Sequence, residues 1–374
     1  MKIALVASIW IRIPPKGFGF GAQEYIAYAL AEGLTRKGHE VTLFATGDSS
    51  TSARLVSVSP TEVSSLNFPD PKIKDMFELM NLSEAYRRSS EFDIIHNHLL
   101  PYGLLFVPLS RVKTVHTLHH VIYQTRADVF LYEKYKDQRF ISISNAQRTI
   151  FPKLNYIGTI YNGVDTSFYT FQEKPMGDYL LYIGRMKKYK GIHTAIRIAK
   201  ELGLKLKIAA PLPQPNQADF EEVNAYWLSE IKPQLSPSIE HLNEISGEEK
   251  VNLLKHAKAF LFPVEREEPF GMTVIEAMAC GTPVVAYGNG SVPELVVDGK
   301  TGFVISAGSP TGTYTIRQTG FAGLKEAVQR ILSLPEQEYH NMRLNSRAHI
   351  ENCFTTHAMV EAYEKIYRNV LQSS

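Results

Sequence analysis

Short apolar runs and helical stripes take turns along this chain. In the first half the runs are 2–8 (KIALVAS), 40–46 (EVTLFAT), 93–96 (DIIH), 112–117 (VKTVHT) and 139–143 (RFISI). Several are continuous in apolar and β-branched residues, the pattern of strands covered on both faces. Between the first two, Tyr25, Ala29, Leu30 and Leu34 fall on one stripe of a helix over 22–37, and Gly38 closes it. Strand, helix, strand is the signature of a parallel sheet. The pattern restarts near 179. Strands are predicted at 179–183, 204–209, 259–262 and 283–287, with helices at 191–203, 247–258 and 272–280. The tail over 321–371 reads as helix without strands, and 309–320 as a loop insertion.

The expectation is an α/β protein with two Rossmann-like, doubly wound domains, 1–165 and 166–355, and a polar linker at about 165–178. In open α/β sheets ligands bind beyond the C-terminal ends of the strands, so a cleft between the domains is the expected site. Composition leaves this picture intact. The 374 residues suffice for two domains, and 44% hydrophobic with 21% charged residues is ordinary for a soluble globular protein. A net charge of +2 makes no electrostatic case for nucleic acid. Cys280 and Cys353 have no metal-ligand spacing and suggest a reducing compartment. The opening Met1-Lys2-Ile3-Ala4-Leu5-Val6 reads as a strand rather than a signal peptide, and no apolar run reaches the ~18 residues of a membrane span. A cytoplasmic location is expected.

The densest chemistry lies in 262–302. Glu268 and Glu276 stand on either side of a Pro269-Phe270-Gly271 turn, and a helix-forming run begins after Gly271. The free N–H groups at such a helix start form an anion site, and carboxylates beside it can accept hydrogen bonds from sugar hydroxyls. The bland alternative is a core helix with two solvated glutamates. Arg185 follows the strand at 179–183, and Lys190-Gly191 opens the next helix, so two cations at one strand end suit a diphosphate. Lys187 and Lys188 between them also fit a solvated basic loop. Gly17, Gly19 and Gly21 form G-x-G-x-G between the first strand and helix, which is not the dinucleotide spacing; Asp48 is a weak imitation of a ribose-binding acid. His96, His98, His116, His119 and His120 cluster near two strand ends, and no Cys or acidic set completes a metal site. His119 is the best single substrate contact among them. There is no Asp-x-Asp for a metal-bridged diphosphate.

Together these residues resemble the retaining glycosyltransferases of family 4, which have the GT-B architecture. The resemblance runs through Gly21-Ala22-Gln23-Glu24, Gly38-His39-Glu40-Val41, Asp93-Ile94-Ile95-His96, Thr117-Leu118-His119, Asn162-Gly163-Val164-Asp165, Gly184-Arg185 to Lys190-Gly191, and Glu268-Pro269-Phe270-Gly271 to Glu276. It implies a nucleotide-sugar donor, a UDP-sugar or GDP-mannose, held by the second domain. Arg185 and Lys190 would bind the diphosphate, Glu276 the ribose hydroxyls and Glu268 the transferred sugar. Backbone N–H groups of Phe270, Gly271, Met272 and Thr273 would cradle sugar and phosphate. Gly21 and Ala22 would approach the diphosphate, His119 the sugar, and Asn243 and Glu244 the base. It also implies a helix over 356–374 that returns to the first domain. No metal or other cofactor is expected.

Two departures stand out. Family members usually carry Gly-Gly where this chain has Gly21-Ala22, and an aromatic where Arg266-Glu267 precede Glu268. The competing readings are a nucleotide-sugar-binding protein without transfer activity and an NAD-dependent oxidoreductase, which leaves the second half unexplained. The acceptor hydroxyl is open among saccharide, lipid-linked and small-molecule classes. Lys72, Lys74, Arg87 and Arg88 flank an amphipathic stretch that admits weak peripheral membrane contact, although a solvated helix face is the plainer reading.

Overall fold

The structure, a computed structural model, describes residues 1–16, 21–66, 72–122, 129–214, 219–308 and 313–373. The chain divides into two units, Met1–Gly163 with Thr356–Ser374, and Val164–Thr355. Residues 17–20 of the glycine-rich loop and 309–312 of the expected insertion lie outside the described residues.

The first unit is built on a seven-stranded parallel sheet in the order β3-β2-β1-β4-β5-β6-β7. Its strands are β1 (Lys2–Val6), β2 (Glu40–Phe44), β3 (Arg54–Val56), β4 (Ile94–Asn97), β5 (Lys113–Leu118), β6 (Arg139–Ser142) and β7 (Tyr156–Thr159). Helices α1 (Ala22–Arg36), α2 (Ile73–Arg87), α3 (Val129–Lys134) and α4 (Asn145–Ile150) connect them. The central strands are covered on both faces: Ile3, Ala4, Leu5 and Val6 are fully buried, as are Ile94 and Ile95 and the polar His96 and Asn97.

The second unit has a six-stranded sheet in the order β10-β9-β8-β11-β12-β13. Its strands are β8 (Tyr179–Ile183), β9 (Lys205–Ala209), β10 (Ile239–Asn243), β11 (Ala259–Phe262), β12 (Val284–Tyr287) and β13 (Gly302–Ile305). The helices are α5 (Ile192–Leu202), α6 (Phe220–Tyr226), α7 (Gly247–His256), α8 (Met272–Ala279), α9 (Val292–Leu295), α10 (Gly320–Ser333) and α11 (Glu336–Cys353). On α5, Ile192, Ala195, Ile196, Ile198 and Ala199 form the buried stripe, and each Ile contributes about 1.5–3 kcal/mol by leaving water. The last helix, α12 (Thr356–Gln372), belongs to the first unit and packs on α1. The two helices meet closely at Gly33, where an added Cβ would stand 2.6 Å from Val360 Cγ2.

The chain changes unit at Gly163–Val164, at the near end of the expected linker. The polar stretch after it does not hang free, because arginines of α11 hold it to the second unit. Arg347 donates to the carbonyls of Thr166, Tyr169 and Ala279, at 2.9, 2.6 and 2.8 Å. Arg343, fully buried, donates to the carbonyls of Gln172 and Lys255 at 2.7 and 3.0 Å. Among the described residues no helix is long and apolar enough to cross a membrane.

The helix expected over the basic stretch 72–88 is α2, and its cations are paired along the surface. Lys74 sits 3.7 Å from Glu78, Arg87 2.7 Å from Glu84 and Arg88 2.8 Å from Glu91. These are local ion pairs, two of them exposed to solvent and the first made to a buried Glu78.

Candidate active site

In each sheet the chain winds outward in both directions from one central pair of strands. In the second unit that pair is β8 and β11. The connections after β8 and after β11 leave on opposite sides, which opens a crevice at their C-terminal ends. Arg185 and Lys190 follow β8, and Glu268 lies in the loop after β11.

Lys190 and Glu268 meet directly: the ammonium is 2.5 Å from Oε2, with side-chain exposures of 11% and 16%. Glu267, the neighbouring carboxylate, points to solvent. The other cations of this loop separate by role. Lys187 pairs with Asp219 and Lys188 with Glu230. Arg185 is exposed, donates to the Tyr189 hydroxyl at 3.1 Å, and has no carboxylate partner among the described residues. Arg266, in the place where an aromatic is usual, stacks its guanidinium 4.7 Å from the centre of the same Tyr189 ring. The basic loop is thus two surface-paired lysines framing two groups, Arg185 and Lys190, at the strand end.

Gly271 is the N-cap of α8 and supplies no side-chain cap, so the first N–H groups of the helix stay available to an anion. Phe270 and Met272 are buried, and Thr273 is half-buried. Glu276 sits in the second turn, 6% exposed. Its Oε1 accepts from the Tyr169 hydroxyl at 2.9 Å, and the Lys250 ammonium lies 2.7 Å from Oε2. These two partners are absent from any motif in the sequence. Tyr169 is 107 positions from Glu276, and Lys250 is an unremarked helix residue.

Asn243 ends β10 in the left-handed region at φ 57°, and its Oδ1 accepts from Leu212 N at 2.9 Å. The left-handed turn leaves both Asn243 and Glu244 exposed. They stand on the edge strand, two strands from β8.

In the first unit the corresponding central pair is β1 and β4. Gly21 is the N-cap of α1 at φ 123°, and Ala22 is exposed beside it. Gln23 donates to His98 O at 2.9 Å, which ties the start of α1 to the end of β4. His98 Nδ1 lies 2.8 Å from His119 Nε2, with the rings stacked at 18°. The remaining histidines are structural. His96 bridges the Tyr367 hydroxyl and Thr117 Oγ1, at 2.6 and 2.7 Å, and Asn97 meets His116 at 3.0 Å. Burial holds His96, His98 and His119 well below the usual imidazole pKa, and pushes His116 down to about 3. Among the described residues no group of three or more His, Cys, Asp or Glu could hold a metal ion. Asp48, the imitation ribose acid, accepts from Glu62 N at 3.3 Å.

Comparison with known proteins covers both units. The family model described as glycosyl transferases group 1 matches residues 169–349, and that described as glycosyltransferase family 4 matches 23–168. The capsular polysaccharide biosynthesis glycosyltransferase CapM of Staphylococcus aureus is 26% identical over 52% of this chain and 46% of its own, so the chain spans about half the length of that curated relative. Sucrose-phosphate synthase from Thermosynechococcus elongatus superposes with a TM-score of 0.80 at 20% identity, over 100% of both chains. HepE of Anabaena, in complex with UDP and glucose, superposes at 0.69 with 19% identity, over 98% of this chain and 99% of its own. At these identities the superpositions establish a shared fold.

Proposed function

This chain belongs to the group 1, family 4 glycosyltransferases, and on that premise we propose that it moves a hexose from a nucleotide-sugar donor to an acceptor hydroxyl with retention of configuration. The observation that carries the proposal is the contact of Lys190 with Glu268 at 2.5 Å, at the strand ends where α/β sheets take ligands. One group suits an anion and the other a set of hydroxyls, which is the division of labour a sugar diphosphate requires. UDP bound to HepE supports a uridine donor, with GDP-mannose the other candidate.

The chemistry follows from where charge develops. As the bond from the sugar C1 to the diphosphate oxygen lengthens, positive charge grows on the sugar ring and negative charge on the departing diphosphate. Arg185, with no carboxylate partner among the described residues, and Lys190, with three N–H donors, meet that negative charge together with the N–H groups at the start of α8. Lys190 keeps one donor on Glu268, so both side chains are fixed before substrate arrives and little reorganisation is left for the transition state. Glu268 accepts from hydroxyls of the transferred sugar with its remaining lone pairs. Glu276 serves the ribose. The acceptor hydroxyl attacks from the leaving-group side and gives its proton to the departing phosphate oxygen. The positive groups on this chain supply the charge compensation, so the reaction proceeds without a metal.

The test is to titrate UDP, GDP and ADP, then their glucose and mannose conjugates, while following the melting temperature with and without Mg²⁺, and to measure release of sugar from whichever conjugate binds. A metal-independent rise with one nucleotide family and slow sugar release are expected. No shift at millimolar nucleotide, with a shift on adding NAD, overturns the proposal.

A further inference from the structure

We infer that Tyr169 and Lys250 are positioning residues that aim the Glu276 carboxylate at the donor ribose, an inference that rests on the donor reading above. Three buried side chains close on one another. Tyr169 is 1% exposed, Lys250 4% and Glu276 6%. The hydroxyl and the ammonium approach opposite carboxylate oxygens at 2.9 and 2.7 Å, and the ammonium also lies 5.9 Å from the Tyr169 ring centre. A lone buried carboxylate would be costly; an ammonium and a hydroxyl on opposite oxygens compensate that burial and fix its orientation.

The geometry leaves capacity over. Oε2 faces the ammonium but receives no aligned hydrogen bond from any described residue. A carboxylate oxygen accepts along two lone-pair directions. The buried Glu276 carboxylate therefore keeps unused acceptor capacity while its direction is fixed, which suits a pair of neighbouring hydroxyls. Tyr169 is itself placed by the turn that Asn162-Gly163-Val164-Asp165 begins. Asp165 O accepts from Tyr169 N at 2.9 Å, Asp165 Oδ1 accepts from Ser167 N at 2.8 Å, and Arg347 takes the Tyr169 carbonyl at 2.6 Å. That motif acquires a use here: it carries the hydroxyl that orients a carboxylate in the second turn of α8.

The test compares each ribonucleoside diphosphate with its 2′-deoxy form. Kd is measured by calorimetry for UDP and dUDP, GDP and dGDP, and ADP and dADP, with the wild-type protein, Tyr169→Phe and Lys250→Met. For the base that binds, the wild type is expected to favour ribose by about 10-fold, one charge-assisted hydrogen bond. In both variants that preference falls toward 1 while the deoxy Kd moves by less than about 2-fold. A merely structural role weakens both ligands alike and keeps the ratio, and that result overturns the inference while sparing the donor reading. No ribose preference in the wild type instead removes the ribose role of Glu276, and no binding of any nucleotide removes the donor reading itself. Tyr169→Phe deletes a single oxygen, so it keeps the test decisive should Lys250→Met fail to fold.

Discussion

Lys190 is aimed by the residue after it. Gly191 takes φ 77°, and a Cβ there would stand 2.2 Å from the Pro263 carbonyl oxygen. Backbone strain and a backbone clash act together, so Gly191→Ala is expected to cost about 2–3 kcal/mol and to displace Lys190. Lys190→Ala leaves the fold intact and removes a cation from the departing diphosphate; kcat is expected to drop about 10²–10³-fold. Measuring kcat alongside the melting temperature separates the two variants. Glu268→Gln keeps shape and loses charge, whereas Glu267→Gln, altering an exposed side chain, is expected to leave turnover unchanged. At this scale the sequence was half transparent. The turn between Glu268 and Glu276 drew attention to both carboxylates, and the structure pairs the first with Lys190. Tyr169 and Lys250 were invisible because no local pattern links a turn, a helix and a second helix until the chain has folded.

Among the elements, strands were least legible at the sheet edges. Strands β8, β11 and β12 announce themselves as unbroken apolar runs. The four strands that no pattern revealed, β3, β7, β10 and β13, are the four sheet edges. Edge strands are short, and three of these are only partly covered, so nothing forces a continuous apolar sequence. Helix α12 depends on a different kind of contact. Tyr363 and Tyr367 are fully buried and join His96 and Thr117 in one hydrogen-bonded set between α12, β4 and β5. Tyr367→Phe should lower the stability of the first unit by about 1–2 kcal/mol. Acid has a larger effect. His96, His98, His116 and His119 are neutral in the fold, with pKa lowered by burial, while the unfolded chain takes protons below about pH 6.5. Stability is therefore full above that pH. It falls as pH drops, by up to about 1.4 kcal/mol per pH unit for each group, down to about pH 3 for His116. Calorimetry at pH 7.5, 6 and 5 should show the transition of the first unit moving steeply, with a smaller slope in His116→Phe.

The whole molecule is two units whose boundaries the chain does not respect in order. Residues 164–172 join the second unit through Arg343 and Arg347, and 356–374 join the first. Arg343 reaches into that junction fully buried, with its guanidinium also 5.9 Å from the centre of the Tyr339 ring. Arg343→Ala opens a cavity and strands the carbonyls of Gln172 and Lys255, so a loss of about 3–5 kcal/mol confined to the second unit is expected by urea unfolding. Removing residues from 356 onward should do the reverse, exposing the α1 surface at Gly33 and lowering only the first transition. The same arrangement sets a timetable for synthesis. The first half of this protein leaves the ribosome early, yet the helix that covers its α1 is translated only after all of Val164–Thr355 has appeared. The first unit is completed only after the second has been translated, and until then the α1 surface at Gly33 stands without the helix that covers it.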